Sequence, residues 1–277
     1  MSKRRILAIG SAAALALGLT ACGGDSGGDA GGDGGGSGDT VKVGIKFDQP
    51  GLGFKEGDTY SGFDVDVANY VAKEMGKEVQ FVQAPSPQRE TLIETGQVDM
   101  IFATYSITDS RKETVAFAGP YFVAGQDLLV RADNDDITGP EDLNGKNLCS
   151  VTGSTSAQKV KDTLASEVQL LEQPGYADCV TVLESGQVDA VTTDDIILAG
   201  LAATPANSGK FKVVGNPFSE ENYGVGIPKD SDRCEDINAA ITKMVDDGSW
   251  QKALDDTVGS DFKPDASTNP PKPEPCS

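Results

Sequence analysis

The chain has 277 residues, of which 38% are hydrophobic, and a formal net charge of −20 at pH 7. This charge argues against nucleic acid and anionic lipid surfaces as partners, because both repel an acidic protein. The absence of histidine excludes Ser-His-Asp and Cys-His catalysis. On so acidic a protein, an anionic ligand must be captured by a local cluster of cations.

Residues 1–21 have the pattern of an export signal. Three cations at positions 3–5 precede an apolar run over 6–19, which at about 1.5 Å per residue spans roughly 21 Å and is too short to cross a bilayer core of roughly 30 Å. Ala21 before Cys22 resembles the lipobox of bacterial lipoproteins, which implies cleavage after residue 21 and a lipid on Cys22. An ordinary secretory leader with an unrelated cysteine is the alternative. We expect an extracytoplasmic protein that contacts the cell membrane only through this lipid anchor.

Residues 23–39, which follow Cys22, contain only Gly, Ser, Asp and Ala. Such a segment cannot bury a core and should behave as a flexible tether with a reach of roughly 20 to 25 Å. We divide the chain into a signal peptide (1–21), a lipidated Cys with its tether (22–39), a first lobe (40–127 with 228–262), a second lobe (128–227) and a Pro-rich C-terminal tail (263–277).

The two lobes alternate between predicted strands and helices. In the first predicted helix, Val67, Val71 and Met75 lie on one face and Gly76 ends it. The alternation predicts an α/β fold. In chain order we predict strand 41–47, helix 63–75, strand 79–82, helix 88–95, strands 100–103, 128–131 and 147–151, helix 154–167, strands 168–171, 190–193, 211–214 and 223–227, and helices 235–247 and 249–257.

An internal repeat joins the two lobes. Residues 91–99, Thr-Leu-Ile-Glu-Thr-Gly-Gln-Val-Asp, match residues 181–189, Thr-Val-Leu-Glu-Ser-Gly-Gln-Val-Asp. Each copy has the pattern of a helix end, a Gly turn and a buried strand, although coincidental similarity is the alternative. If the sheets are open and largely parallel, ligands bind beyond the carboxyl ends of such strands. The repeat then predicts that Thr104 and Asp194 face one cleft.

Four cysteines besides Cys22 are available for disulfides: Cys149, Cys179, Cys234 and Cys276. In an exported chain an even number predicts two disulfides, with three possible pairings. We favour Cys149 with Cys179 and Cys234 with Cys276, because each pair then closes one local region. A metal site is the weaker interpretation, since the chain has no histidine and no closely spaced Cys pair. We expect no metal and no other cofactor.

A run of short motifs occurs in order along the chain: Gly62-Phe-Asp-Val-Asp-Val67, Gly96-Gln-Val-Asp99, Ile107-Thr-Asp-Ser-Arg111, Phe117-Ala-Gly-Pro-Tyr121, Leu143-Asn-Gly-Lys146, Gly153-Ser-Thr-Ser156 and Asp247-Gly-Ser249. Together these motifs resemble the family 3 extracellular solute-binding proteins, the amino-acid receptors of ABC importers. The resemblance covers nearly all of residues 41–262. It implies a type II periplasmic-binding-protein fold, in which two lobes are joined by two hinge crossings, here near residues 126–130 and 223–227.

Two further features are the segment Lys46-Phe-Asp-Gln-Pro-Gly-Leu-Gly53 and the Cys149/Cys179 pair. Within this family, they are similar to glutamate-binding lipoproteins of Gram-positive bacteria. One departure is Ser110, where the family usually has Glu. We expect it to be tolerated because the binding group of that motif is Arg111.

The resemblance implies how an amino acid would be bound at its backbone end. Arg111 offers a planar fork suited to the α-carboxylate, with a solvated loop arginine as the alternative. Asp194 would accept hydrogen bonds from the α-ammonium. Further contacts to the carboxylate would come from Thr104 and Ser106 and from the helix start at Ser154, Thr155 and Ser156, where ordinary capping is the compatible alternative.

Contacts to the ligand side chain are implied for Lys46, Ser86, Arg89 and Tyr176. Two cations facing one pocket favour a carboxylate, since burying them unpaired is costly. Glutamate is therefore the preferred ligand, followed by aspartate and glutamine. The alternatives are an exposed strand lysine at residue 46 and an exposed helix arginine at residue 89.

We predict that the protein captures its ligand by hinge closure and delivers it to the permease subunits of an ABC importer. We expect it to be a monomer and not an enzyme. A subunit that presents its ligand to a membrane sensor kinase is the first alternative. An anchored enzyme is the second, although the chain has no Walker Lys-Ser/Thr pair and Gly51-x-Gly-x-x-Glu56 departs from the dinucleotide pattern at its last position.

Overall fold

The computed structural model describes residues 40–258 and 262–276. The predicted signal peptide, Cys22 and the tether lie outside these residues. Within the described ranges, no helix is both long enough and apolar enough to cross a bilayer.

Strands and helices alternate as the sequence predicts. The strands are β1 (Thr40–Ile45), β2 (Asp48–Gln49), β3 (Gly53–Glu56), β4 (Thr59–Ser61), β5 (Glu78–Gln83), β6 (Met100–Phe102), β7 (Ala116–Ala124), β8 (Gln126–Arg131), β9 (Asn147–Val151), β10 (Gln169–Gln173), β11 (Ala190–Asp194), β12 (Phe211–Val213) and β13 (Glu221–Ile227). The α-helices are α1 (Phe63–Glu74), α2 (Arg89–Glu94), α3 (Asp109–Lys112), α4 (Ser156–Thr163), α5 (Tyr176–Glu184), α6 (Asp195–Ala203), α7 (Cys234–Asp246) and α8 (Ser249–Thr257), with 3-10 turns at Ser86–Gln88 and Pro140–Leu143.

Two five-stranded sheets have the same plan. Their strand orders are β5-β1-β6-β13-β7 and β10-β9-β11-β8-β12. In each sheet the first three strands are parallel, the fourth is antiparallel to them, and the fifth is antiparallel to the fourth. Each lobe therefore has parallel strands whose carboxyl ends can form a ligand site.

The internal repeat has the same structure in both lobes. Asp99 and Lys42 exchange two hydrogen bonds, in which the Asp99 carboxylate accepts from the Lys42 N–H at 2.9 Å and the Lys42 carbonyl accepts from the Asp99 N–H at 2.8 Å. Asp189 makes the same pair of bonds to Asn147, both at 2.8 Å. The repeated Asp thus fixes β1 in the first lobe and β9 in the second beside the strand that leads to the cleft, which confirms the predicted equivalence.

The chain crosses between the sheets at Gly125 and again over residues 214–220. A Cβ at Gly125 would lie 2.6 Å from Cβ of Pro217, so the two crossings pack against each other. The strand β13 lies in the first sheet, although the predicted second lobe extended to residue 227. The difference arises because the predicted crossings at 126–130 and 223–227 fall on strands that are already paired within a sheet.

Residues 48–61 form a three-stranded sheet, β2-β3-β4, that the sequence analysis did not predict. Its strands have only two to four residues, which is too short for a periodic pattern to be visible. Gly62 follows this small sheet and has a φ of 119°, and a Cβ there would lie 2.1 Å from the Leu52 carbonyl oxygen. Only glycine fits this close approach, directly before α1 begins.

Both favoured disulfides are present. Cys149 of β9 is bonded to Cys179 of α5, and Cys234 at the start of α7 is bonded to Cys276. The second bond anchors the C-terminal tail, which also exchanges two hydrogen bonds between the Asn269 side chain and the Val123 backbone, at 3.0 and 2.8 Å. The Pro-rich tail is therefore packed along β7 of the first sheet.

Candidate functional site

A cavity lies between the carboxyl ends of the parallel strands of the two sheets. Three of its lining residues, Gln49, Thr193 and Ile197, were missed by the sequence analysis. The other lining residues were all predicted as ligand contacts: Ser86, Arg89, Thr104, Ser106, Arg111, Ser154, Thr155, Ser156, Tyr176 and Asp194. Thr104, two residues after β6, and Asp194, the last residue of β11, are the two positions that the repeat predicted, and both line this cavity.

Arg89 is held at the start of α2 by three backbone carbonyl groups. Its Nε donates to Ser86 O at 3.2 Å, Nη1 to Ala103 O at 3.1 Å and Nη2 to Gly153 O at 3.3 Å. Only 3% of the side chain is exposed, so it is not the exposed helix arginine of the alternative interpretation. Burial, followed by the charge of Arg111, lowers the pKa of Arg89 to about 10. The guanidinium remains charged at neutral pH, and no carboxylate of residues 40–258 or 262–276 forms an ion pair with it.

Arg111 is the second buried cation of the cavity. It lies on the short helix α3, where Thr108 accepts a hydrogen bond from its backbone N–H. Its Nη1 donates to Ser106 O at 2.7 Å, and its Nε is 3.5 Å from Glu90 Oε1. The guanidinium carbon atoms of Arg89 and Arg111 lie 4.4 and 4.8 Å from the centre of the Tyr105 ring. Cation–π interactions with this one ring therefore stabilise both guanidinium groups.

Thr104 has an unusual backbone conformation, with a φ of +44°. Its N–H donates to Asp64 Oδ2 at 2.8 Å, and its hydroxyl lies 3.0 Å from Gln49 Nε2. Asp64 is fully buried, and this burial raises the pKa of its carboxyl to about 6. A non-glycine residue with positive φ persists only where its surroundings hold it, and such residues concentrate at binding sites.

Asp194, at the end of β11, is the anionic group of the cavity. Its Oδ2 accepts a hydrogen bond from Tyr223 OH at 2.5 Å. Burial is the main cause of a raised pKa at Asp194, and the charge of Glu221 adds to it. Glu221 is itself paired with Lys159 of α4. A cationic group placed beside Asp194 would restore the ionised form of its carboxyl.

The second lobe contributes two helix starts to the cavity. Ser154, Thr155 and Ser156 lead into α4, and the Ser156 N–H donates to Ser154 Oγ at 3.3 Å. Tyr176 begins α5, and its hydroxyl lies 2.7 Å from Thr193 Oγ1. The starts of both α4 and α5 thus line the same cavity as Arg89 and Arg111.

Lys46 lies behind the cavity wall and does not line it. Its side chain is 1% exposed, and its Nζ is 3.3 Å from Ser86 Oγ and 3.1 Å from Asp48 Oδ1. The side chain is therefore not an exposed strand lysine, and its charge is compensated by Asp48. Among the described residues, Arg89 and Arg111 are the cations that line the cavity, whereas the sequence analysis also placed Lys46 there, beside Arg89.

The lobes contact each other around the cavity. Asp48 of the first lobe accepts a hydrogen bond from the Tyr176 N–H at 3.3 Å, and Arg89 donates to Gly153 of the second lobe. A ligand in this cavity would therefore be enclosed by both lobes. Among the described residues, no group of three or more His, Cys, Asp or Glu side chains is arranged to hold a metal ion.

The three missed residues carry weak sequence signals. Gln49 lies on the two-residue strand β2, and Ile197 is one of several apolar residues in α6. Thr193 precedes Asp194 in a strand that is buried throughout, so its orientation could not be read from an alternating pattern.

The family model for "Bacterial extracellular solute-binding proteins, family 3" matches residues 41–259. The chain belongs to this family. The solute-binding protein is 49% identical over 273 residues to the glutamate-binding protein GluB of Corynebacterium efficiens. The match covers 93% of this chain and 92% of that protein. It is 38% identical over 221 residues to the glutamine-binding protein GlnH of Bacillus subtilis, which covers 77% of this chain and 79% of that protein.

Among solved structures, an ancestral arginine-binding protein bound to arginine superposes on the solute-binding protein with a TM-score of 0.74. The two are 34% identical, and the match covers 79% of this chain and 98% of that one. The fold is the type II fold of periplasmic amino-acid-binding proteins, as the sequence predicts. The relatives named here are binding proteins, and the family is extracellular.

Proposed function

We propose that this protein captures glutamate between its two lobes and delivers it to the permease of an ABC importer. The observation that carries the proposal is the arrangement of charge around the cavity, with the uncompensated Arg89 and the partly compensated Arg111 on the first lobe and Asp194 on the second. A ligand with two carboxylates and one ammonium complements these three groups in sign and number.

The backbone end of the ligand would lie between Arg111 and Asp194. Arg111 would receive the α-carboxylate through its guanidinium fork, and Ser106 and Thr104 lie beside it. The start of α4 at Ser156 would add N–H donors from the opposite lobe. Asp194 would accept hydrogen bonds from the α-ammonium, so that one ligand links both lobes and stabilises their contact.

The side-chain end would lie at Arg89, with Ser86 and Tyr176 beside it. A carboxylate compensates the buried guanidinium, whereas a glutamine amide leaves this charge unpaired. An arginine ligand would place a third cation beside Arg89 and Arg111 and is disfavoured by repulsion. The likeness to a glutamate-binding relative supports this order, with aspartate and glutamine as weaker ligands.

The N-terminal segment would confine the clamp to the membrane surface. In this proposal the chain is cleaved after residue 21, carries a lipid on Cys22 and is linked by residues 23–39 to its two lobes. A tether reach of roughly 20 to 25 Å keeps the protein near its permease and leaves it free to dock as a monomer.

Calorimetry on the chain from residue 23 onward, which keeps the tether and all described residues, tests the ligand. Glutamate, aspartate, glutamine, asparagine and arginine are titrated separately. We expect glutamate to bind most tightly, by about tenfold or more over glutamine. Tighter binding of glutamine or arginine than of glutamate would contradict the charge argument.

A further inference from the structure

The peptide group between Ala103 and Thr104 is held between a carboxylate and a guanidinium. Its N–H donates to Asp64 Oδ2 at 2.8 Å, and its carbonyl oxygen accepts from Arg89 Nη1 at 3.1 Å. In a trans peptide the N–H and the C=O point in opposite directions, so the negative group lies at the positive end of the peptide dipole and the positive group at its negative end. Asp64 and Arg89 thus act on opposite ends of one peptide.

Asp64 has no direct role in lining the cavity. It is fully buried, and its second oxygen accepts a hydrogen bond from Tyr121 OH at 2.9 Å. The ion pairs found among the described residues do not include it. A buried carboxylate is costly to maintain, so hydrogen-bond donors must stabilise it. The donors to Asp64 are the Thr104 N–H and the Tyr121 hydroxyl.

Favourable interaction with the N-terminus of α1 does not account for Asp64. The residue lies in the first turn of α1, where acidic side chains are stabilised by the helix dipole. Its oxygens, however, are bonded to Thr104 and Tyr121, outside the helix. Asp66 supplies a second carboxylate to the same turn and is half-buried. The hydrogen bonds of Asp64 therefore hold Thr104, two residues after β6, and Tyr121 of β7, and do not cap α1.

We propose that Asp64 is a positioning residue that sets the orientation of Arg89 through the Ala103–Thr104 peptide. Without a carboxylate or amide oxygen at Asp64, Thr104 has no acceptor for its N–H and can leave its positive φ. The peptide then rotates, and Arg89 loses the carbonyl oxygen that fixes Nη1. The selection of a ligand carboxylate depends on that orientation, and to this extent the inference rests on the proposed function.

The test compares Asp64→Ala with Asp64→Asn. Asn can accept from the Thr104 N–H and donate to the Tyr121 oxygen, so it keeps both hydrogen bonds. We expect Asp64→Ala to weaken glutamate binding by about tenfold or more and Asp64→Asn by about threefold or less, as measured by calorimetry. Asp66→Asn, in the same helical turn, is the matched control and should leave binding unchanged.

A double-mutant cycle with Arg89→Ala separates this inference from the proposed function. If Arg89 selects the ligand, Arg89→Ala alone weakens glutamate binding; if it does not, the proposed function fails at this residue. If Asp64 acts through Arg89, adding Asp64→Ala to Arg89→Ala causes no further loss. An equal additional loss in the Arg89→Ala background would overturn the positioning role.

Tyr121→Phe provides a milder variant in case Asp64→Ala does not fold. It removes one hydrogen bond from the Asp64 carboxylate and keeps the ring. We expect about a two- to fivefold loss of glutamate affinity that also disappears in the Arg89→Ala background. A variant at either residue that lowers the melting temperature but binds glutamate as the unchanged protein does would assign Asp64 a purely structural role and contradict the proposal.

Discussion

Gly200 of α6 faces Pro50 across the cleft at a distance that only glycine permits. A Cβ at Gly200 would lie 2.1 Å from the Pro50 carbonyl oxygen. Gly200 lies inside a helix and has no positive φ, so alanine is compatible with its backbone. The absent side chain therefore serves the approach of the lobes and not the fold of the second lobe.

Gly200→Ala should keep the lobes apart. Because alanine favours the helix, we expect the melting temperature of the ligand-free protein to be unchanged or higher, while glutamate affinity falls by about tenfold or more. Small-angle scattering should show no compaction on addition of glutamate. Ala203→Ser, on the exposed side of the same helix, is the control and should compact normally. Unchanged affinity of Gly200→Ala would show that closure does not require this contact.

Arg111→Ala should abolish binding of all five amino acids, because their common α-carboxylate loses its cation. Arg111→Lys keeps a charge but loses the planar fork, so we expect an affinity between those of the unchanged protein and the alanine variant. Calorimetry measures both. Selective loss of glutamate binding alone would show that Arg111 contacts the side-chain end of the ligand.

Lys46→Ala should mainly reduce the preference for glutamate over glutamine. The substitution removes the partner of Asp48, whose carboxylate then adds an uncompensated negative charge behind Ser86. Replacing both Lys46 and Asp48 by alanine removes this charge, so the double variant should regain part of the preference. The two calorimetric affinity ratios test this, and a double variant worse than Lys46→Ala would contradict the pairing argument.

Glutamate affinity should decrease as the pH falls through about 7. Burial and the neighbouring charge of Glu221 raise the pKa of Asp194 to about 7, whereas Lys159 opposes this shift, and the ligand ammonium requires the ionised carboxylate. Between pH 8 and pH 6 the affinity should fall by about tenfold. Asp194→Asn should bind weakly at both pH values with little dependence, and an unchanged affinity of the original protein at pH 6 would refute the pairing.

The raised pKa of Asp194 also affects the stability of the ligand-free protein, and here its contribution decreases as the pH rises. A carboxyl whose folded pKa lies above its unfolded pKa contributes stability below the unfolded value, and this contribution is lost as the pH rises through about 7. Thermal unfolding without ligand should therefore show that Asp194→Asn is more stabilising at pH 8 than at pH 5. Asp195, which is also buried and has a raised pKa, remains in both forms and acts as an internal reference.

The sequence predicted those parts of the site that repeated or patterned segments carry. The Gly-Gln-Val-Asp repeat identified Thr104 and Asp194 because it ends at the strand that leads into the cleft in each lobe. The position of Lys46 could not be predicted, because its compensation by Asp48 depends on the short strands β2 to β4. Likewise, nothing in the Pro-rich composition of the tail indicated that Asn269 pairs with Val123.

A crystal structure of the protein with glutamate tests the central claim most directly. The account predicts the α-carboxylate on Arg111, the ammonium on Asp194 and the side-chain carboxylate on Arg89, with Lys46 still paired to Asp48. The opposite result is a ligand whose side chain lies away from Arg89, or whose ammonium is not within hydrogen-bonding distance of Asp194. Either placement would contradict the proposed basis of glutamate selection.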